Sequence, residues 1–242
     1  GFAGVTNKLL KDDAAKICVA YEGMERFFPA DRIVLTGNPV RKDLEEARSR
    51  KEEALAFFGL SPEKKTILVV GGSLGARTIN RSIQGGLDAL NASGVQLIWQ
   101  TGRHYFEEAS KLLKAYRSNN IWCSDFITRM DYAYAAADLV ISRAGASSIS
   151  ELCLLGKPVI LVPSPNVAED HQTKNALALS ERGAALLVRD ADAETRLVPT
   201  ALELIQDNER LCQLSEHIEQ MAQRHSAERI VDEIVKIIEN KK

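Results

Sequence analysis

The 242-residue chain has no apolar run of the roughly eighteen residues that a membrane-crossing helix requires. It has no charge excess either. Its 31 Lys and Arg face 33 Asp and Glu, and a net charge of −2 argues against a general nucleic-acid binder that works by neutralising phosphates. Cysteine is scarce: Cys18, Cys123, Cys153 and Cys212 lie far apart, form no paired motif and read as buried, reduced thiols of a cytosolic protein. No signal peptide is visible, because Lys8, Lys11, Asp12 and Asp13 surround only short apolar pieces. There is no internal repeat, no low-complexity stretch and no initiator Met, so Gly1-Phe2-Ala3-Gly4-Val5 reads as the edge of a longer polypeptide. What is left, 45% hydrophobic and 26% charged, is the composition of a soluble globular protein with one large or two small domains.

Strand and helix patterns alternate along this chain. Strands are expected at Ile17–Tyr21, Ile33–Thr36, Thr66–Val70, Val95–Gln100, Asn120–Cys123, Leu139–Ser142, Val159–Val162 and Ala185–Val188. Most are β-branched or Leu-rich with little polar alternation, the pattern of parallel strands buried on both faces. Helices are expected near 44–58, 76–92, 104–116, 130–137, 147–155, 170–182, 200–206, 208–224 and 226–239, with Pro199 starting the seventh. This order predicts an α/β, doubly wound sheet with ligands at the carboxyl ends of the strands. Gly37-Asn38-Pro39 breaks regular structure, so residues 1–37 read as the tail of one unit and 38–242 as a second. The last helix carries Ile230, Val231, Ile234, Val235, Ile237 and Ile238 on one face, a stripe expected to pack on its own sheet or on a neighbouring domain.

Two turns stand out. Ser142-Arg143-Ala144-Gly145-Ala146-Ser147-Ser148-Ile149-Ser150-Glu151 joins an apolar strand to a helix through small residues, so backbone amides and the positive helix end converge on an anion site. Glu151, one to two turns in, is placed to reach neighbouring hydroxyls; phosphate with vicinal hydroxyls indicates a nucleotide. Gly71-Gly72-Ser73-Leu74-Gly75-Ala76 makes a similar corner after Thr66–Val70, with the second corner read as one crossover later. It is neither a GxGxxG fingerprint nor a Walker loop, and a plain tight turn is the alternative. Asp170-His171-Gln172-Thr173-Lys174-Asn175 offers neutral donors and acceptors suited to a sugar, against the alternative of an N-capping segment. Arg41 suits a diphosphate across a cleft, or is simply a solvated arginine. Asp190-Ala191-Asp192 reads as a solvated cap, and His104, His217 and His225 have no ligand-like spacing, so neither a metal site nor a cofactor is expected.

Together, Gly37-Asn38-Pro39-Val40-Arg41, Gly71–Ala76, Ser142–Glu151 and His171–Ala176, in this order and spacing, resemble the bacterial N-acetylglucosaminyltransferase of peptidoglycan synthesis, the MurG family. The resemblance implies a GT-B fold of two Rossmann-like domains, of which this chain would be the C-terminal, donor-binding one plus the last elements of the other. It implies metal-independent, inverting transfer from UDP-N-acetylglucosamine to undecaprenyl-diphospho-muramoyl-pentapeptide (lipid I), giving lipid II, in the cytoplasm at the membrane's inner face. Arg41 and Ser73 would contact the diphosphate, the backbone of Ile127 the uracil, and Ala146, Ser147 and Ser148, continuing into Ile149 and Ser150, would present the amides. Glu151 would hold the ribose and Gln172 the sugar hydroxyls. Leu74 stands where many relatives carry Gln. The family's first glycine-rich loop, with its general base, and the membrane-facing patch are expected before residue 1, so no catalytic base is assigned here. Another GT-B transferase using a UDP-sugar, or a free-standing donor-binding subunit with a membrane partner, stays open.

Overall fold

The computed structural model describes residues 3–41, 43–72, 74–116, 120–167 and 170–240. The chain begins with a short helix, α1 (Val5–Leu10), and two strands, β1 (Ile17–Val19) and β2 (Ile33–Leu35), paired in parallel. Ala3, Val19, Met24 and Phe28 give this segment a small core of its own. Helices α2 (Asp43–Glu46) and α3 (Lys51–Phe58) lead into a second sheet.

That sheet holds β3 (Thr66–Val70), β4 (Gln96–Gln100), β5 (Ile121–Ser124), β6 (Leu139–Ser142), β7 (Val159–Leu161) and β8 (Leu186–Leu187), all parallel, in the order β5-β4-β3-β6-β7-β8. Crossovers are made by α4 (Arg77–Gly85), α5 (Leu87–Ala92), α6 (Phe106–Tyr116), α7 (Met130–Ala136), α8 (Ala146–Leu155) and α9 (His171–Ser180), followed by α10 (Ala193–Gln206), α11 (Asn208–Glu219) and α12 (Ser226–Glu239). Strand side chains alternate between two cores. Leu68, Ile98 and Val140 pack towards α3, α7, α8 and α9, whereas Ile67, Val69, Trp99 and Ile141 pack towards α4, α5, α6 and α10. Each fully buried Leu or Ile contributes about 1.5–3 kcal/mol. This two-sided burial explains why the strands lack polar alternation.

The direction of winding reverses between β3 and β6, which are neighbours in space although β4 and β5 separate them in the chain. The reading of the second corner as one crossover after the first is therefore corrected: three crossovers intervene, and the reversal brings the two corners together. Ligands of open α/β sheets settle at such a switch point.

The expected strands are all present, with ends moved by a residue or two. The helices differ more. The helix expected over 76–92 breaks at Gly86, where a Cβ would lie 2.6 Å from Val198 Cγ2, so α10 passes too closely for any side chain. The helix expected over 44–58 is likewise broken, into α2, a 3-10 turn at Ala47–Ser49, and α3. Pro199 does not start a helix: α10 begins at Ala193 and runs through it, because Leu197, Val198, Ala201, Leu204 and Ile205 bury one face while Pro199 stays outside. Helix α12 does not pack on its sheet. Arg229 Nη2 donates to Leu35 O in the first segment, and Val231, Ile234, Val235 and Ile238 are exposed. The cysteine expectation is half corrected as well: Cys153 is buried and Cys123 half-buried, but Cys18 and Cys212 are exposed. Each exposed one sits on the outward face of an element whose neighbours, Val19 or Leu211, point inward.

Candidate functional site

The first corner, residues 71–76, is shaped by contact with the β4–α6 turn. Gly75 has φ of +80°, and a Cβ there would lie 2.2 Å from Thr101 O. Only glycine meets both conditions. Gly75 N donates to Gly72 O at 2.9 Å, and Gln100 Nε2 donates to Gly72 O at 3.3 Å. Asn80 Nδ2 donates to Thr101 O at 2.8 Å and Asn80 Oδ1 accepts from Trp99 Nε1 at 3.0 Å, fixing the start of α4 against β4. Ser73 lies outside the described residues, and Leu74 is exposed.

The second corner follows β6, whose Ser142 is registered with Val70 of β3. The residues preceding α4 and α8 are Ala76 and Gly145, neither of which supplies a capping side chain. Among the described residues neither cap covers the first-turn amides of its helix, and the two helix starts follow adjacent strands at the ligand edge of the sheet. Ala146 and Ser147 are exposed and Ser148 half-buried there.

Arg143 reaches along this edge to the loops that follow β7 and β8. Its Nη1 donates to Asp190, to Val162 O at 3.0 Å and to Pro163 O at 3.2 Å. Asp190 Oδ2 also accepts from Thr78 Oγ1, at 2.9 Å, in the first turn of α4. The reading of Asp190 as a solvated cap is thus corrected: its side chain is only 18% exposed and joins distant loops.

Glu151 comes within hydrogen-bonding reach of a residue the sequence reading passed over. Tyr134, on the buried α7, donates its hydroxyl to Glu151 Oε2 at 2.9 Å. Burial first, then the neighbouring carboxylate, pushes the Tyr134 phenol well above its ordinary range, so it remains a donor. The exposed Arg41 is near enough to act electrostatically on the same phenol, opposing that rise. Arg41, Tyr134 and Glu151 thus form one cluster beside the second corner. An apolar position on α7 occupied by Tyr rather than Phe is the one signal that pointed here.

The other expected residues fall in mixed positions. Gln172, in the first turn of α9, accepts from Ser164 N at 2.9 Å, so its Nε2 is the group through which a ligand could be met. Asn175 Nδ2 donates to Ala144 O at 3.2 Å, tying α9 to the second corner. Ile127 and Ile149 have their side chains in the core and can offer only backbone. Ser150 accepts from Asn38 Nδ2 at 2.9 Å, in the stretch between β2 and α2, rather than joining the Glu151 cluster. Cavities of about 530 and 640 Å³ lie on that Asn38 side; Ile149 and Ser150 line the first and Ala146 the second, and neither is lined by Glu151 or by the first corner. Among the described residues, no three His, Cys, Asp or Glu are grouped to hold a metal ion, and no helix is long and apolar enough to cross a membrane.

A six-stranded parallel sheet with its amide corners at the switch point is a Rossmann-like, doubly wound α/β unit, one half of the GT-B architecture. The chain belongs to glycosyltransferase family 28: that family's C-terminal domain matches residues 66–234. It is 78% identical over 240 residues to the UDP-N-acetylglucosamine--N-acetylmuramyl-(pentapeptide) pyrophosphoryl-undecaprenol N-acetylglucosamine transferase of Parabacteroides distasonis, covering 99% of this chain and 65% of that protein. It is 58% identical to the protein of the same name from Porphyromonas gingivalis, covering 100% of this chain and 64% of the relative. The chain thus spans somewhat under two thirds of the length of these curated relatives. Among solved structures, MurG of Acinetobacter baumannii superposes with a TM-score of 0.74 at 29% identity, over 97% of this chain and 64% of that one. A UDP-GlcNAc 2-epimerase from Neisseria meningitidis bound to UDP-GlcNAc gives 0.67 at 16% identity, over 95% and 63%, a likeness of fold alone. The resemblance read from the four motifs is borne out by these relatives.

Proposed function

We propose that this chain carries the donor half of an enzyme that transfers N-acetylglucosamine from UDP-N-acetylglucosamine to lipid I, forming lipid II. The observation that carries the reading is the juxtaposition of two amide corners on the adjacent strands β3 and β6, with Glu151 one to two turns into α8. The name shared by the relatives supports the same reaction.

In this reading the diphosphate lies over the first-turn amides of α4 and α8, with Ser73 and Arg41 beside it. The Ile127 backbone reads the uracil. Amides from Ala146 to Ser148 hold phosphate; Ile149, whose N donates to Gly145 O at 2.9 Å, and Ser150 carry the helix on behind them, while Glu151 accepts from the ribose hydroxyls. Gln172 donates through Nε2 to the sugar. The acceptor's 4-hydroxyl attacks the anomeric carbon in line, the bond from that carbon to the UDP oxygen breaks, and the configuration inverts. Negative charge growing on the departing diphosphate is met by helix amides and Arg41 in place of a divalent ion. The base that takes the hydroxyl proton, and the surface that binds lipid I at the cytoplasmic face of the membrane, are assigned to the part of the relatives that this chain does not span. Residues 1–37 are assigned to that acceptor unit and 38–242 to the donor unit.

Calorimetric titration with UDP-N-acetylglucosamine tests this. Glu151→Ala is expected to lose about 1–3 kcal/mol, the worth of a charge-assisted hydrogen bond. Unchanged affinity would remove Glu151 from the site. The 242-residue chain is expected to bind donor and to transfer no sugar to a lipid I analogue.

A further inference from the structure

Among the described residues, one ion pair joins several ligand-edge loops of this sheet. Arg143 belongs to the second corner itself. Its Nη1 bonds two carbonyls of the β7–α9 loop, Val162 O and Pro163 O, and the carboxylate of Asp190 in the β8–α10 turn. The other oxygen of that carboxylate accepts from Thr78 Oγ1, at the start of α4 and directly behind the first corner. Three loops, those after β6, β7 and β8, and the first turn of α4 therefore meet on two side chains, which are 17% and 18% exposed. Pairs shielded from water to this degree resist screening and hold one geometry.

We propose that Arg143 and Asp190 form a positioning clamp that fixes the spacing of the two amide corners, and so sets the affinity of the site for the diphosphate part of its ligand. The proposal rests on the reading of those corners as diphosphate-binding. Amides stabilise an anion only when aimed before it arrives, because reorienting them afterwards consumes the interaction. Neighbouring strands alone do not aim them: β3 and β6 fix where the two loops begin, while Thr78 and Arg143 lie beyond the strand ends, where the sheet ladder has stopped. The clamp supplies the missing constraint at that point. It touches neither the uracil nor the ribose end, so its influence belongs to the phosphates.

The discriminating comparison is UDP against uridine, titrated into the wild-type chain, Asp190→Asn and Thr78→Val by heteronuclear NMR, with thermal midpoints measured in parallel. Asp190→Asn keeps the shape and removes the charge. Thr78→Val cuts only the tie to the first corner and leaves the ion pair intact, so it stays informative if the first variant folds poorly. Expected is a loss of UDP affinity of about tenfold for Asp190→Asn and about threefold for Thr78→Val, with uridine affinity unchanged in both. Parallel losses for UDP and uridine, or no loss in a folded variant, would overturn the clamp while leaving the donor site standing. A wild-type chain that binds UDP no more tightly than uridine would overturn the donor-site reading and the clamp with it.

Discussion

The hydroxyl of Tyr134 donates to Oε2 of Glu151 at 2.9 Å, joining the buried α7 to the helix that presents the second amide corner. One carboxylate oxygen is thereby oriented from inside the protein. If Tyr134 acts through Glu151, removing the hydroxyl matters only while the carboxylate is present. Tyr134→Phe is expected to weaken UDP by about 1 kcal/mol, and to have no further effect in a Glu151→Ala background. A double-mutant cycle by calorimetry measures this. Additive losses would show that the two residues act independently.

The first corner tests backbone geometry. Gly75 combines φ of +80° with a Cβ position 2.2 Å from Thr101 O. Gly75→Ala is expected to cost about 2 kcal/mol or more of stability through strain and displacement of the β4–α6 turn. Urea unfolding reads the cost, and a loss below about 0.5 kcal/mol would mean that the turn relaxes freely.

The break at Gly86 makes a paired prediction. A Cβ there would meet Val198 Cγ2 at 2.6 Å. Gly86→Ala is expected to destabilise by about 1–3 kcal/mol through overpacking, and Val198→Ala, which opens the same space, to recover part of that when combined with it. Thermal unfolding of the two single variants and the double variant gives the coupling. Strict additivity would show that the clash is not the cause.

Lys157 offers a pH test far from the ligand edge. Its Nζ donates to Ala137 O at 2.8 Å, and burial pulls its pKa down to about 8. Folding therefore opposes the charged amine. The unfolded chain holds this proton up to its ordinary value of 10.5, the folded one only to about 8, so between those values the unfolded state binds more protons and stability rises with pH. Below about 8 the full penalty is present. Lys157→Met is expected to be more stable than wild type at pH 7 by about 2 kcal/mol, with the difference shrinking as pH approaches 10. Denaturant unfolding at several pH values would show it. A difference that stays constant with pH would exclude titration of this amine as its source.

Local signals carried much of this molecule. Thr66–Val70 and Leu139–Ser142 read as doubly buried strands because every residue in them is apolar or small, and both are central in the sheet. The small-residue turns were legible because tight βα corners admit few side chains. Pro199 and Gly86 misled for the same reason as each other. Local propensity placed a helix start at the proline and no break at the glycine, whereas packing of α10 against α4 decided both.

The sequence alone determined element types, the two amide corners, and Glu151 and Gln172 as polar groups near them, since these depend on neighbours within a turn or two along the chain. Only the tertiary structure decided that β6 lies beside β3, that Tyr134 meets Glu151, and that Asp190, read as a bystander, joins Thr78 to Arg143. Those relationships join residues from 17 to 112 positions apart. They arise from the order in which strands stack, which is set by how two apolar faces are buried at once and leaves no periodic trace in the chain.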